Sequence, residues 1–321
     1  MSGIFVFIVS VLTLCTIYGI LSLILNLEAG WAGLWDLGTA GLLAAGAYTF
    51  VIFTIHAEQL DAGHELLFSP ELPMWGGIIA ASLFTGFLAF LIGLPSLRLR
   101  DEYFLITTFA FSVVVLQLLQ TESYITAGAV GFHDITRPFD ELVTTRSYNF
   151  VLFGISLAAL AVVAFLLNRL SYSPFIRALR ALRDNEVAAQ SVGKHIMWPR
   201  LKAFVIAGML IGAISPLYVW FVRMLSPHLF HVTLAFTVWT AMVIGGMGNR
   251  WGPLLGAFLL IGFTESLQFL QFSPEYAVIT TAARPFFIGL GLILVMRFRP
   301  VGLMPEHNSF RGIRRQFLKK K

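Results

Sequence analysis

Long apolar runs without a charged residue constrain the fold of this chain more than any other feature. The first, "GIFVFIVSVLTLCTIYGILSLILN", extends from Gly3 to Asn26 and exceeds the ~20 residues that a helix needs to cross a bilayer. Because lipid offers no hydrogen-bond partners, runs of this length satisfy their backbone only as helices. A mean hydropathy of +0.81 and a charged fraction of 12% agree with this. The sequence therefore predicts an all-α, polytopic membrane helical bundle.

Hydropathy predicts about nine or ten transmembrane spans within a single transmembrane domain, residues 1–321. The best candidates are residues 4–27, 31–55, 75–97, 103–120, 149–168, 201–222, 232–247, 252–271 and 277–297. The second candidate is rich in glycine and alanine and the seventh is short. Both are therefore candidates for broken or re-entrant elements packed inside the bundle.

The distribution of Lys and Arg predicts the orientation, because cytoplasmic loops carry the excess. The loop 56–74 contains four acidic residues and no Lys or Arg, and the loop 121–148 is also net acidic. By contrast, the segment 169–202 has seven basic and two acidic residues, and the tail 298–321 is basic. We expect the N-terminus outside and both basic segments in the cytoplasm. The net charge of +5 then reflects topology and contact with anionic membrane lipid, and no nucleic-acid partner is expected.

A basic amphipathic helix is predicted between Ser173 and Gly193. Ser-Pro is a favourable helix start and glycine a favourable stop. Apolar residues fall roughly on one face and arginines line a stripe beside it: Phe175, Leu179, Leu182 and Val187, with Arg177, Arg180 and Arg183. The pattern alone fits either an inner-surface helix on lipid phosphates or a functional element.

A short motif in this helix favours a functional element. Glu186, Ala188, Ala189 and Gly193 form E-x-A-A-x-x-x-G, which resembles the cytoplasmic EAA loop of permease subunits in ATP-binding-cassette (ABC) importers. The resemblance implies that the helix docks on an ATPase subunit and couples its motion to the spans. Small alanines allow close approach and glycine lets the chain turn away. With Arg180, these residues are the predicted coupling site within the cytoplasmic loop 169–202.

Further blocks, in order over nearly the whole chain, resemble the branched-chain amino acid importer permeases of the LivM type. They are "LPSLRLRDEYFLITTFAF", "RALRALRDNEVAAQSVG", "KAFVIAGMLIGAIS", "VIGGMGNRWGPLLGAFLL" and "GLGLILVMRFRPVGLMP". The glycines and proline of "GGMGNRWGPLLGA", Gly245 to Ala257, favour a tight inner turn between closely packed helices.

The resemblance implies a permease subunit of an ABC importer in the bacterial plasma (inner) membrane. Its implied partners are ABC ATPase subunits, a second permease of the LivH type, and a periplasmic or extracellular solute-binding protein. ATP would be bound by the partner subunits, since the chain lacks a G-x-x-x-x-G-K-[ST] motif. We expect no cofactor and no metal in this chain, and no enzymatic activity of its own.

The chain departs from the family pattern at two blocks. Asp36-Leu37-Gly38-Thr39-Ala40 stands where the family reads close to S-L-G-H-A, and "TAGAVG" replaces T-G-G-x-x-G at residues 126–131. The expected cargo is therefore a small polar solute: a branched-chain amino acid, or a related amino acid, amide or urea-like compound.

Ionisable residues inside predicted spans provide the candidate pathway. A charge at a helix centre costs ~3 kcal/mol or more by insertion scales, so its presence calls for an explanation. Asp36 could bind an ammonium or amide group, with Thr39, Gly245 and Gly246 as further pathway candidates, or could be solvated or paired near the inner end. Glu265 is expected to pair with Arg284. The alternative function is a stand-alone secondary transporter or channel with Asp36 as the ion or substrate site.

Overall fold

The computed structural model describes residues 3–55, 70–133, 135–140, 147–266, 277–299 and 301–306. These residues form twelve α-helices and contain no strand beyond an isolated bridge between Phe132 and Leu225. The helices are α1 Gly3–Leu25, α2 Thr39–Thr54, α3 Met74–Ser96, α4 Asp101–Thr121, α5 Ser123–Thr126, α6 Tyr148–Ser171, α7 Pro174–Asp184, α8 Glu186–Ser191, α9 Met197–Val222, α10 Val232–Gly245, α11 Gly252–Ser266 and α12 Ala277–Phe298. A π-helical turn, Asn26–Trp31, continues α1, and a 3-10 turn, Pro227–Phe230, precedes α10.

Six helices among the described residues are long and apolar enough to cross a membrane. They are α1 with its π-helical turn, α3, α4, α6, α9, and α10 with its 3-10 turn. Shorter apolar helices accompany them, namely α2, α11 and the second half of α12. The prediction of a polytopic helical membrane bundle is therefore confirmed, and these helices correspond to the nine predicted spans.

Small residues let the central helices approach closely. On α9, a methyl group at Gly212 would overlap the carbonyl oxygen of Ala81 on α3, and one at Gly208 would lie 2.6 Å from the Ala89 side chain. Because lipid is as apolar as the helix surfaces, membrane helices associate mainly through van der Waals contacts, which close backbone approach increases. The opposite face of α3 exposes Ile79, Leu83, Phe87 and Leu91 at four-residue spacing. Such an apolar stripe suits contact with lipid acyl chains.

The chain's basic segments meet at one end of the bundle. The α3–α4 loop lies there, because Gly93 near the end of α3 packs on Leu201 at the start of α9. The C-terminal segment 301–306 lies there too, since Met304 N–H donates to the Gly245 carbonyl at 2.9 Å. The start of α1 lies at the other end, where the amide of Asn149 donates to Ser10 at 3.2 Å. We call the first end the basic end. Which side of the membrane it faces stays a prediction, and the acidic loop at 56–69 and the tail beyond 306 fall outside the described residues.

The prediction of one continuous helix between Ser173 and Gly193 is wrong. Ser173 does cap α7, accepting from the Ile176 N–H at 3.3 Å, but the backbone becomes extended at Asn185 and α8 starts anew. The Asn185 side chain accepts from the Ala188 N–H at 3.0 Å. Asparagine is a favourable N-cap because it satisfies a free backbone donor. The break turns Val187 outward, away from the buried face that carries Leu179 and Leu182.

The second predicted span, one of two candidates for a broken element, is interrupted, whereas the seventh, the other candidate, is the continuous helix α10. Helix α1 widens into the π-helical turn, residues 33–37 lack helical structure, and α2 begins at Thr39. Most of this non-helical segment is buried within the bundle. Irregular backbone at membrane depth is tolerated only where protein or a water-filled cavity surrounds it, and it commonly marks transport sites.

Candidate coupling site and membrane pathway

Asp36 lies at the helix break and is fully buried. Its Oδ1 accepts from the Gly38 N–H at 2.8 Å and its Oδ2 from the Thr39 hydroxyl at 3.2 Å. These bonds satisfy donors at the start of α2, where the backbone has no helical partners. Asp36 is therefore neither solvated nor ion-paired within the described part of the chain. The structure brings it together with Thr39, the other pathway candidate on this segment.

Two tryptophans attach the broken segment to α10. The Trp239 indole N–H donates to the Asp36 carbonyl at 2.5 Å. The Trp35 ring stacks on Trp239 with 5.3 Å between centroids and 11° between planes. Trp239 is buried, whereas Trp35 is 45% exposed. The segment therefore places a large aromatic surface outside the bundle directly beside the buried carboxyl group.

A second buried carboxyl group, Glu28, lies on the π-helical turn. It is fully buried, neither of its oxygens accepts a hydrogen bond in the described structure, and it is close enough to Asp36 to interact electrostatically. Burying a carboxyl group inside a membrane bundle is costly, so Glu28 together with Asp36 is a candidate functional site. Sequence reasoning missed Glu28 because it falls between the first two predicted spans. Its spacing of eight residues from Asp36 in one Gly-rich stretch was the available signal.

Gly245 and Gly246 lie in the tight turn between α10 and α11. A methyl group at Gly245 would overlap the Gly252 carbonyl oxygen, and Gly246 has a φ of +118°, which favours glycine. The side chain of Asn249 closes the turn by accepting from the Trp251 N–H at 2.9 Å. The turn and its closely packed helices match the prediction. Contact of these glycines with a solute stays a prediction.

Helix α8 brings four of the predicted coupling residues to the basic end. Glu186 pairs with Arg200 of α9 at 3.4 Å, and Ala189 is buried while Ala188 is exposed. Gly193 has a φ of +77° and open space around its Cα. Arg180 is separate from this group, because it lies on α7 and points inward, 5.5 Å from the Trp31 ring.

Two exposed valines on and beside α8 were not predicted. Val187 is 77% exposed and Val192 is 76% exposed, at an end of the bundle that carries basic segments. Isolated exposed apolar side chains are common, but one on α8 and one at the residue that ends it form a compact contact surface. The ion pair proposed from the sequence, Glu265 with Arg284, stays a prediction, because the structure does not describe the Arg284 side chain.

Comparison with known proteins agrees with this architecture. The sequence model of the family described as "Branched-chain amino acid transport system / permease component" matches residues 7–296. The high-affinity branched-chain amino acid transport system permease protein LivM of Escherichia coli (strain K12) is 33% identical over 319 residues, which cover 92% of this chain and 70% of that protein. A probable LivM permease of Methanocaldococcus jannaschii is 29% identical, over 90% of this chain and 91% of that one. A probable LivH permease of the same organism is 26% identical over about half of each chain, 52%.

The apolar helices of the bundle define a multi-pass membrane protein, and the family match identifies it as a permease. More specifically, the chain belongs to the branched-chain amino acid transport permease family. It is a permease subunit of an ABC importer in the bacterial inner membrane, as its sequence blocks implied. Members of this family are permease components of transporters and are not themselves enzymes.

Proposed function

We propose that this chain moves a small amino acid across the membrane by alternating access, driven by ABC ATPase subunits. It would form the pathway with a second permease of the LivH type and receive cargo from a solute-binding protein at the end opposite α8. Its relatives are named for branched-chain amino acid transport, which favours that cargo class. The same comparisons disfavour a stand-alone secondary transporter or channel.

The observation that carries the proposal is the exposed apolar surface of α8. Val187 and Val192 protrude from the basic end, Ala188 allows close approach, and Gly193 turns the chain away. A helix that places small and apolar side chains outside the bundle is suited to a groove on a partner. When paired ATPases close on ATP, displacement of α8 would bias a two-state bundle.

The broken segment is the proposed cargo contact. Asp36 and Glu28 supply carboxyl groups to which a primary ammonium group can donate, and exposed Trp35 supplies an apolar surface for an aliphatic side chain. Both carboxyl groups are buried in this conformation. Cargo would therefore reach them only when the non-helical segment moves, as alternating access requires.

The coupling proposal is tested with Val187→Asp in the complex purified in mild detergent. A charge at the centre of an apolar contact loses its hydration without gaining a partner, so we expect the ATPase subunits to dissociate and uptake to cease. Val130→Asp is the matched control, because Val130 is 62% exposed and lies at the opposite end, beside the Phe132–Leu225 bridge. It should retain the ATPase subunits. Equal retention in both variants would contradict docking through α8.

A further inference from the structure

Glu306 reaches back from the C-terminal segment to helix α7. Its Oε2 lies 2.9 Å from Arg183 Nη2 and its Oε1 lies 3.3 Å from Arg180 Nε. The Glu306 side chain is only 15% exposed. The carboxylate therefore accepts a hydrogen bond from Arg183 and forms an ion pair with Arg180, three residues away on the same helix face. Charge-assisted hydrogen bonds such as the one from Arg183 are stronger than neutral ones.

The same two arginines hold the π-helical turn. Arg183 Nη1 donates to the Gly30 carbonyl oxygen, and the Arg180 guanidinium lies 5.5 Å from the centre of the Trp31 ring. The Trp31 indole N–H in turn donates to the Gly248 carbonyl at 3.0 Å. Through these contacts Glu306 links α7 to the turn that leads into the broken segment.

Glu306 is itself anchored to the frame of the bundle. Leu303 N–H donates to the Ile244 carbonyl at 2.9 Å, and the Asn249 side-chain amide donates to the Pro305 carbonyl at 2.9 Å. The carboxylate is thereby fixed relative to α10 and the α10–α11 turn. Its ion pairs with Arg180 and Arg183 can therefore fix the position of α7.

The electrostatics of α7 depend on this carboxylate. Burial lowers the pKa of the Arg183 guanidinium, but the charges of Glu306 and Asp184 outweigh burial and hold that pKa above its ordinary value. Burial also lowers the pKa of Arg180, and Glu306 opposes this shift. Glu306 thus compensates two neighbouring positive charges that would otherwise repel each other.

We propose that Glu306 is a positioning residue for transport. It sets the placement of α7 against the π-helical turn, so that displacement of α8 reaches the segment that carries Asp36. This proposal rests on the proposed coupling function of α8. It assigns a specific structural role to the first part of the basic tail, 298–321, for which the sequence predicted only a cytoplasmic location.

The test is Glu306→Gln in the full complex with its ATPase subunits and binding protein, reconstituted in liposomes. The variant keeps the size of the side chain and removes its charge. We expect ATP hydrolysis to persist while solute uptake per ATP falls by roughly fivefold, within the range measured for residues that transmit coupling. A residue needed only for folding would lower yield and thermal midpoint without changing uptake per ATP.

Asp184→Asn is the matched control. Asp184 lies at 3.0 Å from the same Arg183 but is 53% exposed and belongs to α7 itself, so it links no second element. It should leave uptake per ATP at the wild-type value. An unchanged ratio in Glu306→Gln, or an equal loss in Asp184→Asn, would overturn the proposal.

A second variant tests the same contact independently of how much Glu306→Gln protein accumulates in the membrane. Arg180→Gln removes the ion pair between Arg180 and Glu306 by changing its partner on α7. It should also lower uptake per ATP, and a wild-type ratio would contradict the proposal. In both variants the ATPase subunits should stay bound, because α8 is unaltered. Variants that misplace α7 should therefore keep their ATPase subunits. Val187→Asp, which disrupts docking, should lose them.

Discussion

Two glycines of α11, Gly256 and Gly262, provide a direct test of how tightly the inner turn is packed. A methyl group at Gly256 would overlap the Ala241 carbonyl oxygen and lie 2.7 Å from the Gly245 Cα. At Gly262 it would meet no atom within 4 Å. We therefore expect Gly256→Ala to leave the bundle as stable as the wild type or less so, and Gly262→Ala to leave it as stable or more so.

The expected difference in thermal midpoint follows from comparing Gly256→Ala with Gly262→Ala, because both positions lie on α11. Replacing glycine by alanine in a helix interior gains about 1 kcal/mol, and this gain is common to both variants. The difference between them isolates overpacking, which costs about 1–3 kcal/mol because the atoms facing Gly256 belong to backbone and cannot rotate aside. At roughly 2–4 °C per kcal/mol, the two midpoints should differ by roughly 2–12 °C.

The assay is thermal unfolding in detergent, followed by intrinsic tryptophan fluorescence at one scan rate, because unfolding of such proteins is often irreversible. Gly256→Ala should unfold at or below the wild-type midpoint, and Gly262→Ala should unfold above Gly256→Ala and at or above the wild type. Equal midpoints for the two variants would refute the close approach of α10 and α11, and with it the structural reading of the Gly245–Ala257 block.

Three further predictions concern the pathway and α8. Trp239→Phe keeps a ring for Trp35 but leaves the buried Asp36 carbonyl without its donor, so the thermal midpoint should fall by an amount equivalent to about 1–3 kcal/mol; an unchanged midpoint would contradict the bond. Asp36→Asn should weaken cargo affinity in uptake assays with a panel of amino acids if its charge contacts cargo, and wild-type kinetics would assign Asp36 to structure alone. Gly193→Val should uncouple ATP hydrolysis from uptake more than Gly193→Asn, because asparagine tolerates positive φ far better than a β-branched residue; equal uptake in the two would show that the backbone at Gly193 is unimportant.

The contacts at the basic end connect the proposed coupling and cargo regions. The π-helical turn contacts α7 through Gly30 and Trp31 and contains Glu28, next to the broken segment. A rigid displacement of α7 and α8 would therefore act on the turn without crossing the remaining spans. Such short, polar connections between an outer helix and an irregular segment are suited to a bundle with two discrete arrangements.

The membrane spans and the clustering of basic segments could be predicted from the sequence, because hydropathy and charge are summed over stretches of consecutive residues. Apolar runs predicted the helical spans, and Lys/Arg counts predicted that the basic segments share one end. Glycine content made the second span a candidate for a broken element. Even Ser173 was recognised as a helix start. The break at Asn185 was missed because the helical pattern of apolar residues continued through it, while the N-cap preference of asparagine was not weighed.

The sequence by itself thus determined the class of protein, its family and the approximate position of every described membrane helix. Only the tertiary structure decided that Arg180 and Arg183 face Glu306 and that Trp239 holds Asp36. The partners in these contacts are 123 residues apart for Arg183 and Glu306, and 203 apart for Asp36 and Trp239. Hydropathy and helical periodicity describe neighbours within a few turns, whereas contacts between distant helices depend on how the bundle packs.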